Sequence, residues 1–433
     1  MNNPFSKLSF EESMKIMEFK RILNMSINPD NKREISEVID VLFENVAYNY
    51  LEYREQVPFI PADKEPYEFH ILQPVNGRYS LLDFLINRAI ANVEAIEFEG
   101  GNTYNGSFRK IRINPNRYER ERNNYSADRI KMLYKKSKLH ETGHALHGWD
   151  RQKTGKIHTT SRHWGAQVGL KHRLEIAENL GFHKKYSNML RFSDVEGVEE
   201  ERPFAPHNSV SPISFSRNRI NEVATEYFAC KYSGAFQDLD SFEYYLYRLP
   251  EKDVIAKVPA STNGYQTGIR FIYHLENLVS KQAMFNSMFF ENDEALREFC
   301  NKYEGIVKNV LDLKDHSASH DETYSKFMNM FDFACAWGDG LSDDTRRDRL
   351  EAQECLDKIF YYAYREEVRK GNISNDKMME IARYSFEMTP AIGKGSTFRR
   401  SDTGKAYENW IKELEKNPTN SPKKNADSEE IDI

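Results

Sequence analysis

Cysteine is scarce and scattered. The 433 residues contain only Cys230, Cys300, Cys335 and Cys355, with no Cys-x-x-Cys pair among them. That excludes a structural zinc ribbon and a disulfide scaffold, and it leaves buried free thiols as the expectation. Long apolar runs are also missing. No stretch approaches the roughly 20 apolar residues of a membrane span, and the opening Met1-Asn2-Asn3-Pro4-Phe5-Ser6-Lys7 has no apolar core of signal-peptide length. Nor is there a surplus of positive charge. Lys and Arg total 61 against 67 Asp and Glu, a net charge of -6 with pI near 6.1. No whole-chain field draws the protein to nucleic acid. The default is a soluble cytoplasmic protein without a membrane span, with export as an effector left open. The acidic end, Ser428 to Ile433, reads as a solvated tail.

What the chain does have is a 39% hydrophobic and 13% aromatic content, enough for two or three subdomains around a sizeable core. Apolar residues at three- and four-residue spacing, such as Ile35, Val38, Ile39, Leu42 and Phe43, make residues 1–57 an N-terminal helical segment. The Pro-rich stretch Val57 to Pro66 ends it. Residues 58–150 are expected to form a small sheet plus one long helix. Within them, 67–75 reads as a strand and 81–91 as a helix. Val93 to Glu99 and Phe108 to Asn114 alternate around Gly and Asn turn residues, the pattern of a hairpin. Residues 151–282 hold long irregular insertions and further helices, 283–415 a helical C-terminal subdomain, and 416–433 a compositionally disordered tail. The fold class expected is α+β.

The stretch with the most chemical content is Leu139-His140-Glu141-Thr142-Gly143-His144-Ala145-Leu146-His147-Gly148. Ser126 supplies a helix cap and Gly148 a stop, so His-Glu-x-x-His falls inside a helix. Residues four apart share a helix face, so His140 and His144 can direct two imidazoles at one ion. Glu141 lies beside them, placed to act as general base toward a water rather than as a ligand. A catalytic zinc takes three protein ligands and leaves a position for water. The best candidate for the third is Glu222, in Ile220-Asn221-Glu222-Val223-Ala224-Thr225-Glu226. Glu226 is four residues on and can orient a ligand histidine from the outer shell.

With these two blocks the chain resembles the gluzincin metallopeptidases, the group that includes thermolysin-like and leukotriene-hydrolase-like aminopeptidases. Asn221, Glu222 and Glu226 match that group's third-ligand helix position by position. Tyr265-Gln266-Thr267-Gly268 is similar to the Tyr-x-x-Gly helix of its aminopeptidase branch. The resemblance implies a zincin-like catalytic domain and one zinc ion held by His140, His144 and Glu222. It further implies Glu141 as base, Tyr265 as a donor to the tetrahedral intermediate, and a peptide or protein as substrate. Glu222 lies 78 positions after His144, longer than the family's usual spacing, so an insertion must separate them. The Gly-x-Met-Glu-Asn motif of the aminopeptidases is absent.

Other arrangements of the third ligand exist. His158 or His163, with Lys153, Lys156 and Arg162 nearby, resemble zinc proteases of the SprT-like class that act on DNA-bound proteins. Glu175 or Glu178 would serve in a thimet-oligopeptidase-like arrangement. A metzincin-like one would use Asp150 but has His147 where a Gly belongs. A non-catalytic reading makes the protein a zinc-stabilised helical interaction protein, with His147 as a fourth ligand closing the site.

Overall fold

A computed structural model describes residues 3–64, 70–98, 100–106, 109–116, 126–147, 169–195, 215–234, 266–290, 292–311, 319–335, 343–387 and 402–416. The described chain is mostly helical with small sheets, an α+β composition. It separates into two compact units. The first comprises Met1–Ile213, Phe228–Gly234 and Phe285–Asn292; the second comprises Ser214–Tyr227, Ala235–Met284 and Asp293–Ile433.

The first unit opens with two helices, α1 (Phe10–Ile27) and α2 (Arg33–Tyr53). Ser9 starts α1 with a capping box. Its hydroxyl accepts the Glu12 N–H, and the Glu12 carboxylate accepts the Ser9 N–H at 2.7 Å. Ile16, Phe19, Ile22 and Leu23 recur at helical spacing and are fully buried, as are Val38, Leu42, Phe43 and Val46 of α2. A two-stranded ribbon of β1 (Phe59–Pro61) and β2 (Arg78–Ser80) leads into α3 (Leu81–Ala91), whose boundaries are those the sequence pattern indicates. Every residue of α3 from Leu81 to Ile90 is buried, including Asn87 and Arg88.

Two sequence expectations fail in this region. The described part of 67–75 forms no strand, only isolated bridges from Leu72 to Met189 and from Val75 to Arg78. The reason is a side chain. Asn87 accepts the Leu72 N–H at 3.0 Å and donates to the Leu72 carbonyl at 2.7 Å, so it satisfies the peptide groups that a neighbouring strand would otherwise pair. The segments around 93–99 and 108–114 do not pair as a hairpin either. The sheet order is β3 (Ala95–Glu97), β5 (Lys110–Arg112), β4 (Thr103–Asn105), with β3 parallel to β5 and β4 antiparallel to it. The hairpin is therefore β4 with β5, and β3 adds to its far side. Ile96, Ile111 and Tyr104 form one buried row across the three strands.

Helix α4 (Ala127–His147) packs against this sheet and against α2 and α3. Residues 169–179 form α5, followed by the single turn α6 (Phe182–Lys185) beyond Gly181, which takes a left-handed φ of 77°. Helix α7 (Phe215–Ser233) belongs to the second unit as far as Tyr227 and to the first from Phe228 onward. In the first unit its end is held by α2, where Tyr232 stacks on Tyr48 at 4.7 Å and Lys231 pairs with Glu52 at 3.0 Å.

The second unit continues with α8 (Gln266–Leu278), the start of α9 (Lys281–Phe289), which passes to the first unit from Phe285, then α10 (Glu294–Lys302), α11 (Glu304–Val310), α12 (His320–Cys335), α13 (Asp343–Lys370), α14 (Asn375–Glu387) and α15 (Asp402–Lys416). Its core is aromatic. Phe299 stacks on Phe327 at 5.4 Å, and Phe271 on Phe360 at 5.9 Å. Among the described residues no helix is long and apolar enough to cross a membrane. All four cysteines are free thiols, three of them buried.

Candidate metal centre

A helix that presents a metal must itself be fixed, and α4 is buried along its whole second half, from Lys136 to His147. Polar side chains from two neighbouring helices grip its backbone. Asn45 of α2 donates to the Leu139 carbonyl at 2.8 Å and to the Thr142 hydroxyl at 2.9 Å. The Thr142 hydroxyl in turn donates to the Lys138 carbonyl at 2.7 Å. Lys135 and Lys138 pair with Glu44 and Glu37 of α2 at 2.6 and 3.1 Å. Burial pushes the Glu37 carboxyl up, but the hydrogen bond and charge of Lys138, aided by Arg33, outweigh it and hold Glu37 below its ordinary value.

The end of α4 leaves carbonyls with no partner inside the helix. Asn92 donates to Ala145 O at 2.6 Å, and Arg88 donates to Leu146 O and His147 O at 3.0 and 3.1 Å. The Arg88 guanidinium is 1% exposed, lies 4.4 Å over the Phe84 ring and is flanked by Phe289 and Phe290. A positive charge at a helix C-terminus also complements the helix dipole. Sequence reasoning passed over these residues. Their signal is polar residues set in otherwise apolar helix faces, Asn45 in α2 and Asn87 and Arg88 in α3.

On this rigid helix His140 and His144 stand one turn apart, 7% and 4% exposed. Their Nε2 atoms are 3.0 Å apart and their rings meet edge to face at 89°. Glu222 of α7 completes the group, with one ligand atom from each of the three residues lying within 4.8 Å of the others. Two nitrogens each about 2.0–2.1 Å from a tetrahedral zinc stand about 3.3 Å apart, so the imidazoles are already near the spacing such an ion requires. Two imidazoles and a carboxylate are also a donor set that zinc accepts, with one position left over. The three residues could therefore hold a metal ion.

Glu141 follows His140 on the helix and is 5% exposed; Glu226, one turn after Glu222, is 3% exposed. His147 is buried and meets the Phe289 ring edge-on at 5.0 Å. Burial, then the neighbouring His144, Arg88 and His140, push its pKa well below the ordinary imidazole value. It does not join the three-residue group. Glu175 is half exposed and pairs with His172 at 3.8 Å, while Glu178 accepts the Phe192 N–H at 3.1 Å. Neither belongs to the group. Tyr265, Asp150, His158 and His163 lie outside the described residues, as do the helix stop at Gly148 and the basic residues Lys153, Lys156 and Arg162. Comparison of the chain with models of known protein families, with curated proteins and with solved structures finds no match.

Proposed function

We propose that this chain is a zinc-dependent metallopeptidase of the gluzincin kind, with a zincin-like catalytic region. The observation that carries the reading is the grouping of Glu222 with His140 and His144 across 78 positions of sequence. The packing of α4 beside the sheet of β3, β5 and β4 supports the zincin-like part. Among the described residues the group has three protein ligands, the number a catalytic zinc takes, whereas structural zinc sites are closed by four.

A zinc ion bound there would polarise a water molecule and bring its pKa toward neutrality. The remaining chemistry belongs to the chain. His140 and His144 hold their ligand atoms on a helix that Asn45, Asn92 and Arg88 keep from sliding. Successive helical residues are about 100° apart, which sets Glu141 at the flank of the histidine face rather than on it. From there its carboxylate oxygen takes the proton as the water attacks a peptide carbonyl, keeps it, and passes it to the leaving amine nitrogen. Tyr265 is proposed as the donor to the oxyanion, on the strength of the Tyr-x-x-Gly resemblance alone.

The decisive experiment is cleavage of a peptide library by the zinc-loaded protein beside its Glu141→Gln variant. The variant is expected to keep near-stoichiometric zinc and lose essentially all hydrolysis, because only the proton acceptor is removed. Hydrolysis that survives the substitution refutes the mechanism. Loss of zinc would instead make Glu141 a ligand.

A further inference from the structure

Helix α8 touches α7 next to Glu222 in a way that leaves little freedom. Gly268 of α8 is buried, and a Cβ added to it would lie 2.5 Å from Val223 Cγ1, 2.9 Å from Cγ2 and 3.2 Å from Cβ. Val223 is fully buried, β-branched and stiff at χ1, so it cannot swing aside. Glycine inside a helix costs backbone entropy relative to alanine, and close approach of a neighbour is what justifies one there. Two turns further along α8, Glu276 accepts a hydrogen bond from the hydroxyl of Tyr227, and its other oxygen pairs with Lys281 at 2.7 Å. Tyr227 is 1% exposed and sits five residues after Glu222 on α7.

Helix α8 is fixed from α13 as well. Arg270 makes a two-pronged contact with Asp357 at 2.9 and 3.0 Å, and His274 Nδ1 lies 2.9 Å from the Tyr364 hydroxyl. All four side chains are buried. A helix braced in this way transmits its own position to whatever packs against it.

We infer that Gly268, Tyr227 and Glu276 are positioning residues for the metal ligand Glu222: α8 sets the height and rotation of α7 by backbone contact at Val223 and by the Tyr227–Glu276 hydrogen bond. The inference rests on the metal-site reading above. Its physical basis is tolerance. Metal–ligand distances are met within about 0.2 Å, whereas relieving a 2.5 Å contact at Val223 to ordinary van der Waals separation moves α7 by about 1 Å. A shift of that size takes the Glu222 carboxylate out of register with the two histidines and leaves their own helix untouched.

The test is titration of the metal-free full chain with cobalt(II) and zinc against a competing chelator, following the cobalt absorption spectrum, with circular dichroism to confirm folding. Gly268→Ala is expected to weaken metal binding roughly 10 to 100-fold, the size of effect outer-shell supports have. It should also shift the cobalt bands. Adding Val223→Ala removes the two methyl groups that the new Cβ meets and should restore both affinity and spectrum. Should Gly268→Ala not fold, Tyr227→Phe serves, since it deletes only the hydroxyl bonded to Glu276; its binding should weaken in the same direction. A folded Gly268→Ala or Tyr227→Phe chain with parental affinity and spectrum overturns the inference. Glu222→Ala distinguishes the two levels. If it loses binding while the positioning variants do not, the metal site stands and the positioning role falls. If it binds as the parent does, or the parent binds no metal, both fall.

Discussion

Glu222 is the residue on which the proposed chemistry turns, because a helical His-Glu-x-x-His supplies only two ligands by itself. Its carboxylate is grouped with His140 and His144, whereas Glu175 and Glu178 have partners elsewhere. Substitution should therefore rank the candidates. Glu222→Ala is expected to lower zinc affinity strongly, and Glu226→Ala to lower it by roughly 10 to 100-fold as an outer-shell partner. His158→Ala and His163→Ala should leave it nearly unchanged. Isothermal titration of the four variants checks the order, and the reverse order would favour the three-histidine arrangement. The motif histidines were legible from spacing because a helix fixes the relation of i to i+4. Glu222 was legible only as a candidate, since nothing in spacing ties it to a helix 78 positions away.

At the scale of elements, α4 depends on neighbours for groups it cannot satisfy itself. Arg88 is the clearest case, a buried guanidinium that closes the helix end through Leu146 O and His147 O. Arg88→Met keeps the apolar stem among Phe84, Phe289 and Phe290 but leaves two buried carbonyls without those donors. Urea unfolding should show a loss of about 2–3 kcal/mol, the usual range for orphaning buried polar groups bonded to a charge. A loss within experimental error would mean that other groups satisfy these carbonyls. The helices α1 to α3 were readable from apolar periodicity, and α3 to the residue. The strands were not. Alternation in 93–99 and 108–114 says that each is half buried, but it is silent on direction, and β3 lies parallel to β5 where a hairpin requires the opposite. The segment 67–75 misled for a different reason, because the Asn87 side chain replaces a strand as the partner of Leu72.

For the whole molecule, the reading predicts that metal and stability are linked. A ligand that binds only the folded state raises stability by RT ln(1 + [L]/Kd), about 4 kcal/mol at a thousandfold excess over Kd. Removal of metal with a chelator should lower the melting temperature, and added zinc should restore it. Glu141→Gln should keep this difference and Glu222→Ala should lose most of it, so calorimetry on both separates ligand from base. Equal melting temperatures for parent chain with and without zinc would argue against the proposed site.

The sequence by itself determined the helical N-terminal segment, the helix carrying His140, Glu141 and His144, and the absence of a cysteine scaffold. These are local matters, set by periodicity, caps and residue type over a few turns. Tertiary structure alone decided which distant carboxylate meets the histidines, which way β3 runs, and that Asn45, Asn87, Arg88 and Asn92 spend their polar groups on other segments' backbones. It also decided that Gly268 lies against Val223. Each of these is a pairing between residues far apart in the chain. A single sequence encodes such pairings only through the summed packing of every element, and no local pattern of residues records them.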